Sequence, residues 1–203
     1  MDKPPAVEVV EEQASELPEY ARISSAFQVH EIVDIAESVD SPGRFVLSRR
    51  RLELPYTKDY DAITEDGPRH WPRLFDLSHW GLFSASLAGQ RLGGAALAFD
   101  TPEMDLLEGR RDLALLWDIR VAPEARGRGV GSALFRAVEA WACSKGCRTL
   151  KIETQNSNAP ACAFYEHRGC VLGSIHHSPY QRLPDEIQMF WYKDLDGSRR
   201  RRL

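Results

Sequence analysis

The chain has 203 residues, 43% of them hydrophobic, enough to bury a core within one domain. Its net charge of −4 carries no general nucleic-acid footprint, and without the four arginines at 199–202 the remainder stands near −8, a balance that suits a cationic substrate. No apolar run reaches membrane-span length, no leader pattern opens the chain, and Cys143, Cys147, Cys162 and Cys170 fit neither a zinc ribbon nor a CxxC redox site, so the expectation is a cytoplasmic protein with reduced thiols and no metal.

Residues 1–19 are rich in Pro, Glu and Ala without periodicity and read as a mobile tail. A single domain is expected over 20–195, followed by a basic tail over 196–203. Alternation at Phe27, Val29, Val33 and Ile35 predicts a strand from Ala26 to Ile35, and Phe45 to Leu54 predicts a second, weakened by three arginines at 49–51. Lys58 to Pro72 reads as a loop in which Asp59, Asp61, Glu65 and Asp66 mix with Tyr56, Tyr60 and Trp71. Carboxylates among aromatic faces suit an amine-bearing ligand, and equally an ordinary solvated loop. Leu74 to Trp80 predicts a short helix, and Phe83–Leu87 with Leu92–Phe99 a hairpin. Leu113 to Val121 is a short apolar run ending in Asp118 and Arg120, the pattern of a covered strand.

Next come Arg126-Gly127-Arg128-Gly129-Val130-Gly131 and an amphipathic helix from about Ser132, with Leu134, Val138 and Trp141 on one face. The first amides of a helix have no internal partner, and the helix dipole adds positive charge, so glycines that curl the chain there make an anion hollow. The turn has no lysine for a Walker loop. A dinucleotide fingerprint needs G-x-G-x-x-G directly after the strand, whereas here the spacing is G-x-G-x-G, although Glu153 lies at a suitable distance beyond. A third reading is R-x-x-G-x-G/A from Arg126, and a fourth is a plain glycine turn with solvated arginines. Thr149 to Thr154 alternates as a strand, and a helix follows with Asn158 as N-cap, Pro160 in its first turn and Gly169 at its end. Cys170–His177 and Glu186–Tyr192 complete the strands, with a loop at Pro179–Asp185 between them.

The Arg126 loop resembles the acyl-CoA pyrophosphate loop of the GNAT N-acyltransferase superfamily, and N-x-x-A-x-x-x-Y-x-x-x-G from Asn158 to Gly169 resembles its second signature, in the right order. Within that superfamily, Asp118-Ile-Arg-Val121, Glu153-Thr-Gln-Asn156, Pro160-Ala-Cys-x-Phe-Tyr165 and Leu54-Pro-Tyr-Thr-Lys58 resemble streptothricin acetyltransferases. The resemblance implies an α/β (α+β) GNAT fold: a mixed, mostly antiparallel central sheet flanked by helices, with two splayed parallel central strands. The two strand-like runs before residue 55 depart from the family pattern.

The resemblance also implies acetyl-CoA as cosubstrate. The backbone of Ile119, Arg120 and Val121 would pair with its pantetheine arm, residues Arg126, Gly127, Arg128, Gly129, Val130, Gly131 and Ser132 would take its pyrophosphate, and Asn158, Ala161 and Tyr165 would complete the site. A lysine-like amine has a pKa of about 10.4, so freeing it at pH 7 costs about 4.6 kcal/mol unless a base helps. Tyr165 aligns with the family tyrosine that protonates the departing thiolate. Glu153, twelve residues before it, and Asp118 are both candidates for the base, and each could instead be a structural ion-pair partner. The implied acceptor is a small cationic amine, with a protein N-acetyltransferase and a non-catalytic acyl-CoA sensor as alternatives. The implied assembly is a monomer or homodimer, without nucleic acid or membrane.

Overall fold

A computed structural model describes residues 6–63, 67–177 and 186–196. Its elements are β1 (Val7–Glu12), α1 (Leu17–Tyr20), β2 (Phe27–Glu37), β3 (Phe45–Lys58), α2 (Tyr60–Ile63), α3 (Trp71–Leu74), β4 (Gly81–Leu87), β5 (Gln90–Ala98), β6 (Leu113–Val121), α4 (Val130–Ser144), β7 (Thr149–Gln155), α5 (Ala159–His167), β8 (Val171–His177) and β9 (Ile187–Asp194). The chain divides into one unit of residues 1–26 and 59–150 and another of 27–58 and 151–203. No described helix is long and apolar enough to cross a membrane.

In the first unit the strands run β1-β4-β5-β6, each antiparallel to its neighbour. One face of this sheet is closed by α4, whose apolar stripe buries Leu134, Phe135, Val138 and Trp141. Contact is close enough that a Cβ on Gly93 would lie 2.8 Å from Val130 and 3.0 Å from Leu134. The other face carries a second core around Tyr20, Trp71 and Trp80, packed with Leu82, Ala96 and Leu115. Its rings meet at centroid distances of 5.7 Å (Tyr20–Trp71) and 5.8 Å (Trp71–Trp80). A Cβ on Gly94 would meet the Tyr20 ring at 2.4 Å, so the Gly93–Gly94 pair is sandwiched from both sides.

Two expectations fail here. Residues 7–12 belong to no loose tail; they form β1, an edge strand in register with β4 from Val7↔Leu87 to Glu12↔Leu82. What fixes it is remote in sequence: the Trp141 indole donates to Glu11 (2.9 Å), and Arg91 grips Glu12 with two bonds of 2.8 and 2.6 Å. The helix expected over Leu74–Trp80 is in fact α3, which stops at Leu74 with Phe75 extended. Beyond it, Asp76 Oδ1 accepts the Ser78 amide at 2.9 Å, an Asx turn that competes with helix.

The second unit holds β7-β9-β8 and the long β2–β3 ribbon. Both ribbon strands run further than expected, to Glu37 and Lys58. Pro55 is tolerated because the ladder is irregular there: pairing jumps from Val29↔Tyr56 to Glu31↔Arg51. The three arginines at 49–51 are exposed, and Arg50 bonds Asp34 across the ribbon at 3.0 Å. The ribbon is tied down by the Val33 amide, which donates to the Asn156 carbonyl (2.9 Å). Helix α5 buries Cys162 and Tyr165. Thr154 Oγ1, which accepts from the Trp191 indole at 2.9 Å, lies 3.7 Å from the Cys162 sulfur. Glu65, Asp66, the Pro179–Asp185 loop and nearly all of the C-terminal tail lie outside the described residues.

Gly94→Ala should destabilise the protein by about 1–3 kcal/mol in chemical denaturation, because the Tyr20 ring has no room to yield. Thiol labelling of the native protein at pH 8 should modify Cys143 alone. Cys147 and Cys162 are buried, and burial pushes each thiol up to about 11, while Cys170 is 5% exposed.

Candidate active site

The geometry of β6 is set by an irregularity. Its partner register runs Gly94↔Arg120, Ala96↔Asp118, then Leu97↔Leu116, which leaves Trp117 as an extra residue. A strand's side chains alternate, so one inserted residue swaps the faces beyond it. Leu113 and Leu115 face the aromatic core, and past the bulge Asp118 and Arg120 share that face, because Ala96 and Ala98 lie opposite Asp118 and Leu115. Ile119 and Val121 turn instead to the side of Gly93, Ala95 and α4.

Arg120 is 5% exposed at its side chain, and its donors are spread over three segments. Nε and Nη2 donate to Oδ2 of Asp118 at 3.0 and 2.5 Å. Nη1 and Nη2 donate to the two oxygens of Asp61 at 3.1 and 3.3 Å, and Nη1 also to the Ile23 carbonyl at 2.9 Å. Its guanidinium carbon lies 5.3 Å from the Tyr20 ring centroid. Asp61 in turn accepts the Ser25 amide (3.2 Å). Burial pushes the Asp118 carboxyl above the usual aspartate range, against the pull of Arg120. The Tyr20 phenol is likewise held well above its ordinary value, chiefly by burial and then by Asp118.

The glycine turn follows. A 3₁₀ turn at Pro123–Ala125 leads into Gly127 and Gly129, with φ of 73° and 87°, a region that disfavours side chains. Gly129 is the N-cap of α4, and no side chain caps it. A Cβ at either glycine would meet nothing within 4 Å, so the first turn of a fifteen-residue helix stands open beside exposed Arg128. Such an end fits a diphosphate. Arg126 behaves differently from Arg128: Nε donates to the Val121 carbonyl (3.1 Å) and Nη2 to the Ala26 carbonyl (2.8 Å), so it braces the turn.

In the second unit, Asn158 caps α5, its Oδ1 accepting the Ala161 amide at 3.2 Å. Tyr165, one turn on from Ala161, is 4% exposed and meets Phe164 edge-on at 5.4 Å. Glu153 is half-buried on β7 and accepts from Gln155 at 3.4 Å. The turn between β7 and α5 is anchored by an ion pair missed in the sequence. Lys58 Nζ lies 2.5 Å from both oxygens of Glu186 and 3.3 Å from Ser157 Oγ, which itself donates to Glu186 at 2.9 Å. Lys58 is 3% exposed, and burial lowers its pKa while Glu186 pulls it back up.

Asp118 and Arg120 are thus brought into direct contact. The Arg120 side chain is consumed by carboxylates and a carbonyl. Tyr20 was missed because it closes the stretch next to the apparent tail; no local signal marks it. Among the described residues no cluster of His, Cys, Asp and Glu could hold a metal.

Comparison with known proteins gives this geometry its setting. Residues 49–170 match the Acetyltransferase (GNAT) family. The streptothricin acetyltransferase of Escherichia coli is 31% identical over 189 residues, covering 92% of this chain and 94% of that protein. Streptothricin acetyltransferase A of Bacillus subtilis (strain 168) is 38% identical over 81 residues, 39% of this chain and 47% of that one. A protein of Bacillus anthracis str. Ames solved in complex with acetyl coenzyme A superposes with a TM-score of 0.75 at 23% identity over 93% of this chain and 99% of that one. This last likeness shows the fold, the expected α+β arrangement of a mixed, mostly antiparallel sheet with flanking helices. With a family match across more than half of its length and a relative aligned along nearly all of it, the chain belongs to the GNAT family and is an acetyl-CoA-dependent N-acetyltransferase.

Proposed function

We propose that this chain acetylates an amino group of a small, cationic, streptothricin-like acceptor, by direct attack of the amine on acetyl-CoA. The observation that carries this is the 31% identity to the Escherichia coli streptothricin acetyltransferase over 92% of the chain. The surplus of carboxylate on the Tyr20 face of the first unit supports it: Asp61 and Asp118 share one guanidinium. In this reading the cosubstrate diphosphate would take the amides of 127–132, at the uncapped start of α4, with exposed Arg128 as its counter-charge. When bound, acetyl-CoA supplies an activated acyl group and a thiolate leaving group.

This chain's own residues then manage two protons. The attacking amine must be neutral, and Glu153 takes its proton, directly or through a water. Tyr165 donates its phenolic proton to the departing sulfur. Asn158, fixed as the α5 cap, holds the helix that presents Tyr165. Asp118 takes no proton in this scheme, because Nε and Nη2 of Arg120 both donate to its Oδ2.

Purified protein with acetyl-CoA should release thiol in the presence of streptothricin, polyamines or aminoglycosides. No release on any of them, with acetylation confined to peptide N-termini, would move the chain to protein acetylation. Tyr165→Phe should lower kcat by about 100-fold or more while calorimetric affinity for acetyl-CoA stays within about twofold.

A further inference from the structure

One buried ion pair of the second unit takes no part in the two proton transfers. Lys58, the last residue of β3, donates to both oxygens of Glu186 at 2.5 Å and to Ser157 Oγ at 3.3 Å, and Ser157 donates to Glu186 Oε1 at 2.9 Å. The three groups close a triangle in which the Ser157 hydroxyl accepts from one partner and donates to the other, so its direction is fixed. The Tyr56 phenol bonds the same hydroxyl. Lys58, Ser157 and Glu186 are all buried. Stability alone does not call for ions there, since apolar groups in place of a buried pair are often neutral or stabilising by about 1–4 kcal/mol. What charged hydrogen bonds add is geometry.

The triangle grips the turn that starts α5. On one side of Ser157, Asn156 is paired with the head of β9: its amide donates to the Ile187 carbonyl at 3.0 Å and its Oδ1 accepts the Ile187 amide at 2.9 Å. On the other side, Asn158 caps α5. A helix of nine residues is too short to hold its own place, so a displacement of its first turn carries through to Tyr165. A shift of about 1 Å at a reacting group can cost about 100-fold in rate. On the reading of Tyr165 as proton donor, on which this rests, we propose that Glu186 and Lys58 are positioning residues for acetyl transfer: they act through the Ser157 hydroxyl and set where α5 places the Tyr165 phenol.

The test is a double-mutant cycle on the full chain with acetyl-CoA and streptothricin, read as kcat. Ser157→Ala cuts the link and keeps the ion pair. It should lower kcat about tenfold in the wild-type background and less than about twofold in the Tyr165→Phe background, with calorimetric affinity for acetyl-CoA within about twofold of wild type. A residue that only stabilises the fold costs the same factor in both backgrounds, or none, and either result overturns the inference. Lys58→Met combined with Glu186→Leu removes both charges and leaves neither ion unpaired. It should show the same non-additive loss of kcat without a lower midpoint in chemical denaturation, and full kcat in this variant also overturns the inference. It carries the test alone should Ser157→Ala fail to fold. Tyr165→Phe at wild-type kcat removes Tyr165 from its role and takes the inference with it. A slow Tyr165→Phe enzyme beside an unaffected Ser157→Ala enzyme overturns the inference and leaves the proposed function standing. If streptothricin is not acetylated, the proposed acceptor falls and the cycle is run on the polyamine, aminoglycoside or peptide that is. Acetylation of none of them sinks the proposed function and the inference together.

Discussion

One buried cation organises the Tyr20 face of the first unit. The Arg120 guanidinium bonds a carboxylate on its own strand, a carboxylate on α2 and a carbonyl in the segment after α1, while Tyr20 covers it. Loss of one partner from such a buried pair typically costs about 3–5 kcal/mol, because the remaining charge stays without compensation. The arrangement exists only because β6 is bulged at Trp117. In an unbroken strand, Asp118 and Arg120 would turn toward α4, where Leu134 and Phe135 leave no place for charge.

The bulge also divides labour along nine residues of chain. Before it, Leu113 and Leu115 are core; after it, the same face carries ionised groups. The opposite face remains apolar and seats α4, whose first turn is left uncapped by Gly129. The rigid packing of α4 against the sheet holds its open amides in place, which is what anion recognition by backbone requires.

Legibility in the sequence tracked locality. The glycine turn ahead of α4 and the Asn158 cap could be read because each depends on residues within one or two turns of one another. The β4–β5 hairpin was legible for the same reason. Three features were not. The pairing of β1 relies on Trp141 and Arg91, 130 and 79 residues away from their partners. Lys58 reaches Glu186 across 128 positions, and nothing in either neighbourhood announces an ion pair. The bulge in β6 changes which face each side chain serves without changing the composition of the run, so Leu113–Val121 reads identically with or without it. For the candidate site, the pairing of Asp118 with Arg120 was among the readings open from the sequence, while its completion by Asp61 and the presence of Tyr20 beneath belonged to tertiary structure.

The Gly93–Gly94 step has an evolutionary reach. It is pressed from one side by Val130 and Leu134 and from the other by Tyr20, so neither position can acquire a side chain without displacing a helix or an aromatic ring. A descendant of this scaffold cannot reshape that part of the sheet by adding a side chain at either position. The segment around Asp59–Ala62 is bound to the same interior, because Asp61 completes the Arg120 cluster and its own amide donates to Ser25 Oγ.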